Sequence, residues 1–232
     1  MDGELQNLIR NEANKLHDRG DRLDLAALVE IASEKTQVTA RLINDLALSL
    51  SHANELGRPD LLIDFASQLA TALRPARVLD PFVATPALLS AAVESSQGNK
   101  GLGFIVNHDM CELANRLPDQ VSWRLGDFAT ASEADVGDAV DLIISSPPLG
   151  LMTRTPLEPG EPSYFKREYA DLLLSRALPH LTDHGIAVVV VADGFFWSET
   201  RLKFRDELAE RGFFLNAAIA ISGSLKPLRG RR

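Results

Sequence analysis

Asp141-Leu142-Ile143-Ile144-Ser145-Ser146-Pro147-Pro148-Leu149 decides the fold. The run Asp141–Ser145 is short, apolar and β-branched, and it reads as a buried parallel strand. Two prolines then end it, because neither has an N–H for a ladder and each fixes its own φ. The carbonyls just before and between them are held outward at the strand's C-terminal edge. In an open α/β sheet that edge is where ligands sit. Taken alone, a Pro-Pro pair after a strand is equally well a plain stop signal.

Strands and helices alternate on both sides of this stretch. Upstream, Arg77–Asp80 reads as a strand, Ala87–Ser95 as a helix, Gly101–Val106 as a strand, Met110–Leu117 as a helix and Trp123–Asp127 as a strand. Downstream, Glu168–Leu181 reads as a helix, Ile186–Ala192 as a strand, Thr200–Arg211 as a helix and Leu215–Ile221 as a strand. Repeated β-α-β units predict a mostly parallel, doubly wound α/β sheet with helices on both faces. Before Arg74 the pattern is helical. Leu5, Leu8, Ile9 and Ala13 fall at helical spacing, as do Leu23, Leu25, Leu28 and Val29, then Leu42, Ile43, Leu46, Leu48 and Leu50. Gly57-Arg58-Pro59-Asp60 interrupts it, and Leu61–Leu73 forms another amphipathic helix. The expected organisation is a helical segment over 1–56 and an α/β domain over 57–232.

Composition narrows the class. Hydrophobic residues are 45% and charged residues 24% of the 232, as in ordinary globular proteins. The longest apolar stretch, Ile186–Ala192, is too short to cross a bilayer, and the polar, acidic N-terminus is no secretory signal. Together with a lone cysteine, Cys111, this fits a reducing cytoplasm, and a cytoplasmic protein away from membranes is expected. The histidines, His17, His52, His108, His180 and His184, form no ligand cluster, so no metal site is expected. His180 and His184 are four apart, but Thr182-Asp183-His184-Gly185 reads as a solvated turn. A net charge of −8 argues against a stand-alone nucleic-acid binder, although basic residues gather from Lys203 to Arg232.

Several strand ends carry chemistry. Asp80-Pro81 ends the first, Asp127-Phe128 the third, Ser146-Pro147-Pro148 the fourth and Asp193-Gly194-Phe195 the fifth. Parallel strands share a C-terminal edge, so all are expected on one rim. Each acid alone is a common helix cap or turn residue. On a shared rim, Asp127 can accept from an amine while the Phe128 ring packs on a base.

In that order the motifs resemble the N6-adenine DNA methyltransferases of type I restriction-modification systems, the modification-subunit family. The similarity runs from about Gly57 to the C-terminus. RVLDPFVATPALL resembles the cofactor loop that reads Asp-Pro-x-x-Gly-Ser-Gly-Gly in the family. GLGFIVNHDMCELANRL resembles the next strand and helix. DLIISSPPLG resembles the catalytic Asn/Asp-Pro-Pro-Phe/Tyr motif, and GIAVVVVADGFFWSETRLKFRDELAERGFFLNAAIAISGSL the stretch after it. The resemblance implies a Rossmann-like class I methyltransferase fold and S-adenosylmethionine as cofactor. It assigns the cofactor to Asp80, Pro81, Phe82, Ala84, Thr85, Asp127 and Phe128, and catalysis to Ser146, Pro147, Pro148 and Leu149. DNA is the implied substrate, with specificity and restriction subunits or another protein as partners. A flipped adenine would donate hydrogen bonds from its exocyclic amine to Ser146 and the Pro147 carbonyl, which aligns its nitrogen with the sulfonium methyl.

The chain departs from the family at defined places. Ala84, Pro86 and Ala87 stand where glycines let the backbone approach the cofactor. Ile105 stands where an acid binds the ribose hydroxyls, with Asn107 and Asp109 nearby but out of register. Ser146 replaces Asn or Asp. Leu149 replaces an aromatic whose stacking on a base is worth about 1–3 kcal/mol. After Ile221 the family continues with an inserted antiparallel strand. Here SGSLKPLRGRR follows, so the sheet is expected to be incomplete or the chain a fragment. Two functions therefore stay open: a DNA adenine methyltransferase domain, or a methyltransferase-like scaffold for assembly or DNA contact. A third reading, a nucleotide-binding oxidoreductase, is disfavoured by the absence of G-x-G-x-x-G after the first strand.

Overall fold

A computed structural model describes residue 11 and residues 25–34, 36–49, 60–96, 99–117, 120–152 and 168–221. Five parallel strands form one sheet in the order β3-β2-β1-β4-β5. They are β1 (Arg77–Asp80), β2 (Lys100–Ile105), β3 (Val121–Leu125), β4 (Val140–Ser145) and β5 (Leu181–Val189). Helices α1 (Leu25–Ser33), α2 (Ala40–Ser49) and α3 (Asp60–Leu73) precede β1. Then come α4 (Ala87–Ser95), α5 (His108–Ala114), α6 (Glu133–Val136), α7 (Tyr169–Ala177), α8 (Gly194–Trp197) and α9 (Glu199–Glu210). Among the described residues no helix is long and apolar enough to cross a membrane.

Alternation along each strand builds two cores. Val78, Ile105, Trp123, Leu142 and Ile144 face one way, packed with Leu28, Ile43, Leu46, Ile63 and Ala66 of α1–α3 and with Leu89 and Cys111 of α4 and α5. Leu79, Leu102, Phe104 and Ile143 face the other way, toward Leu172 and Leu173 of α7. Helices thus cover both faces, as the doubly wound pattern requires. The described N-terminal helices share the first core with the sheet. Leu5, Leu8, Ile9, Ala13, Leu23, Leu50 and Gly57–Pro59 lie outside the described residues.

Asp141 fixes the entry side of the sheet. Its Oδ2 accepts the N–H groups of Ala76 and Arg77 at 2.9 and 3.1 Å, and its Oδ1 accepts Thr182 Oγ at 3.2 Å. Three strand beginnings are thereby joined through one carboxylate. In β2, Gly103 lies directly opposite Trp123. A Cβ at Gly103 would stand 2.7 Å from the indole and 2.9 Å from Val83 Cγ2. Gly103→Ala should therefore destabilise the protein by about 2 kcal/mol through overpacking, read as a lower urea midpoint; an unchanged midpoint would mean that the ring is free to shift.

Several expectations change. Leu215–Ile221 forms no strand: the residues pair with nothing in the sheet, and Phe214, Leu215 and Ile219 are exposed. An apolar stretch becomes a strand only where a neighbour offers a ladder. The strand expected at Ile186–Ala192 begins earlier, at Leu181, and ends at Val189, so the helix expected to reach Leu181 stops at Ala177 and a 3-10 turn follows. Thr182–Gly185 is absorbed by an irregularity. Val140 pairs with Leu181 and Leu142 with Ile186, so the intervening residues of β5 bulge out of register. Finally, Asp127 lies beyond the end of β3 rather than within it.

The two tryptophans occupy opposite environments. Trp123 is 8% exposed inside the sheet, and Trp197, at the end of α8, is 85% exposed.

Candidate functional site

The strand order reverses between β1 and β4, and in open α/β sheets the crevice at such a reversal is the binding position. Asp80 ends β1 at this point and is buried. Its Oδ1 accepts the Phe82 N–H at 3.0 Å and the Ser145 hydroxyl at 2.7 Å. One carboxylate oxygen thus shapes the loop after β1 and ties it to the end of β4, next to Ser146.

The loop from Pro81 to Pro86 is buried throughout. Val83 N–H donates to the Phe104 carbonyl at 2.9 Å, which holds the loop over the tip of β2. Thr85 Oγ donates to Asn44 Oδ1 at 3.0 Å, both groups being buried. A residue of α2 therefore supports the loop assigned to the cofactor. Pro86 caps α4 with φ −65°, the angle its ring imposes.

At the β3 tip, Asp127 caps a 3-10 turn over Phe128–Thr130. Its Oδ1 accepts the Ala129 N–H at 2.9 Å and also the Tyr169 hydroxyl. The Phe128 ring is turned into the core, edge-on to Phe104 at 5.1 Å and to His180 at 6.0 Å. It does not stand at the rim to stack on a base, because its position just past the strand end points it toward the α7 side. At β2, Ile105 is buried in the core and Val106 is the exposed residue of the tip. Asn107 caps α5 by accepting the Met110 N–H at 2.9 Å, while Asp109 is exposed beside His108.

At the β4 tip, Ser146 and Pro147 are buried and Pro148 and Leu149 half-buried. Leu151 N–H closes a turn onto the Pro148 carbonyl at 3.3 Å, with Gly150 at φ +75°, a conformation that favours glycine. Tyr169, the first residue of α7, joins these tips. Its N–H donates to the Leu151 carbonyl at 2.8 Å, and its ring meets Phe82 edge-on at 5.4 Å. Its hydroxyl reaches Asp127. Burial, reinforced by that carboxylate, raises the Tyr169 pKa, so the phenol stays protonated and donating. Asp80, Asp127 and Ser146-Pro147-Pro148 therefore share one rim.

Asp193 is exposed ahead of α8, and Phe195 is buried against Phe204. Below the rim, Arg201 of α9 binds Glu168 Oε2 at 2.6 Å and Asp171 Oδ2 at 2.9 Å. Burial raises the Asp171 pKa against the opposing pull of Arg201. Burial also lowers the pKa of His180. Among the described residues no group of three or more His, Cys, Asp or Glu side chains could hold a metal ion. Asn44, Tyr169 and Arg201 were not among the candidates in the sequence.

No family model matches the chain, and no curated protein sequence matches it. Solved structures do. A caffeoyl-CoA O-methyltransferase candidate from Staphylococcus aureus aligns with TM-score 0.51 at 14% identity, covering 84% of this chain and 95% of that one. An S-adenosylmethionine-dependent O-methyltransferase from Thermotoga maritima aligns with TM-score 0.46 at 12% identity, over 80% of this chain and 56% of that one. A ribosomal protein L11 methylase from Lactobacillus delbrueckii subsp. bulgaricus gives 0.46 at 17% identity, over 69% and 72%. At such identities the likeness is one of fold. The chain has the Rossmann-like class I methyltransferase fold, with helices ahead of the first strand. None of these three is a DNA methyltransferase.

Proposed function

We propose that this chain is an S-adenosylmethionine-dependent methyltransferase domain acting on the N6 amine of adenine in DNA. The observation that carries the reading is the gathering of strand tips at the strand-order reversal. There the Asp80–Ser145 hydrogen bond sets the β1 loop beside Ser146-Pro147-Pro148, and Tyr169 ties Asp127 to the same rim.

The residues fit the purine end of such a cofactor, since Asp127 offers a carboxylate to an amine. Asp80 would hold the loop of Phe82–Thr85 around the rest of it. When bound, the cofactor supplies an electrophilic methyl group. The protein's own part is alignment. The Pro147 carbonyl accepts a hydrogen bond from one N–H of the target amine, Ser146 accepts one from the other, and the fixed proline backbone holds these acceptors still. Leu149 gives the base an apolar wall without aromatic stacking. DNA affinity and sequence choice fall to a partner, such as a specificity subunit; the net charge of −8 argues against broad phosphate binding by this chain alone.

A second reading, a catalytically silent scaffold, is favoured by one observation: the β2 tip offers buried Ile105 where a ribose acceptor would stand. Calorimetric titration with S-adenosylmethionine separates the two. The methyltransferase reading expects a micromolar dissociation constant. Absence of binding at millimolar ligand would reject it and leave the scaffold.

A further inference from the structure

We infer that Tyr169 is a positioning residue for purine recognition, its hydroxyl setting the Asp127 carboxylate that reads the 6-amino group of an adenosyl ligand. The inference rests on the methyltransferase reading above and names how its cleft selects adenine.

Asp127 stands outside β3, on a 3-10 turn where no strand ladder holds it. Two donors reach the same oxygen, Oδ1: the Ala129 N–H from its own turn and the Tyr169 hydroxyl from α7. Two donors on one oxygen fix the plane of the carboxylate, and so the direction of Oδ2. A carboxylate only accepts. It therefore favours a purine carrying an amine over one carrying hydrogen or a carbonyl at that position.

Tyr169 can do this because it is itself held at three points. Its backbone N–H is bound to Leu151, its ring to Phe82 and its hydroxyl to Asp127. The loops after β1, β3 and β4 thus meet on one residue. Phenylalanine at this position keeps the ring contact and the N–H bond and removes only the hydroxyl. Tyr169→Phe is therefore a conservative variant of a buried residue, in which the hydroxyl's links to Asp127 and to the Ala129 N–H are lost.

The test measures two ligands by calorimetry: S-adenosylhomocysteine, and its analogue with hydrogen in place of the purine 6-amino group. Wild-type protein should prefer the amino form. Tyr169→Phe should weaken the amino form about tenfold, the scale of one lost hydrogen bond to a charged group, and leave the analogue unchanged. Asp127→Ala should abolish the preference, and adding Tyr169→Phe to it should cost nothing further. Equal losses for both ligands in Tyr169→Phe would reduce the tyrosine to packing and overturn the inference while the methyltransferase reading stands. Unchanged affinity for both would also overturn it. Wild-type protein that binds neither ligand overturns both the inference and the reading beneath it.

Discussion

Asp80→Ala is expected to abolish the S-adenosylhomocysteine binding that the methyltransferase reading proposes, and to destabilise the protein by roughly 3 kcal/mol. The magnitude follows from what Oδ1 accepts. Removing it strands the Phe82 N–H and the Ser145 hydroxyl in a buried place, and each stranded donor costs about 1–3 kcal/mol. The loss of binding follows from geometry, because the loop after β1 then has no anchor at the strand tip. Asp80→Asn keeps a carbonyl oxygen where Oδ1 stands and should retain most of the stability. Urea denaturation and calorimetry on the same samples read both effects. Unchanged affinity in Asp80→Ala would place the binding cleft elsewhere.

Arg201→Met destabilises the protein further, by about 3–5 kcal/mol, as expected when a buried pair loses one partner. The Arg201 and Asp171 side chains are 11% and 8% exposed, and Asp171 Oδ1 has no hydrogen-bond partner of its own. Without the guanidinium, Asp171 and Glu168 face each other in a poorly solvated place. The pH dependence has a definite sign. The folded Asp171 pKa lies above the ordinary 3.8, so the folded state holds its proton more tightly than the unfolded state. Stability from this group is present at acid pH and is lost as pH rises through the folded value. Arg201 limits that loss by pulling the pKa down. The deficit of Arg201→Met should therefore be large at neutral pH and shrink toward pH 4. Adding Asp171→Asn should recover part of it at pH 7. A deficit that does not vary with pH would assign the effect to lost packing alone.

Much of the fold is legible in the chain because its signals are local. Arg77–Asp80 and Ala87–Ser95 match their expected limits, since Pro75 and Pro81 flank the strand and Pro86 starts the helix. Asp141–Ser145 gains only Val140. The shared rim for Asp80, Asp127 and Ser146 was also legible, because parallel strands bring their C-terminal ends together whatever their side chains do. Pairing is not local, and there the sequence misleads. Leu215–Ile221 has a strand's composition but no ladder, whereas Thr182–Gly185 has a turn's composition and lies within β5 as a bulge between the paired Leu181 and Ile186. The supports of the site were hidden for the same reason. Asn44 meets Thr85 across 41 residues, Tyr169 meets Asp127 across 42 and Arg201 meets Asp171 across 30. No spacing rule links such pairs. The inward turn of Phe128 depends on where β3 ends, which the apolar pattern leaves uncertain by two residues.

The contrast between Trp123 and Trp197 gives the molecule two separate optical windows. The indole inside the sheet emits at shorter wavelength and is sheltered from iodide. The solvent-facing one, just past the fifth strand, emits further to the red and is quenched by it. Difference spectra with and without iodide therefore distinguish melting of the β-layer from events at its carboxyl end, with no label attached.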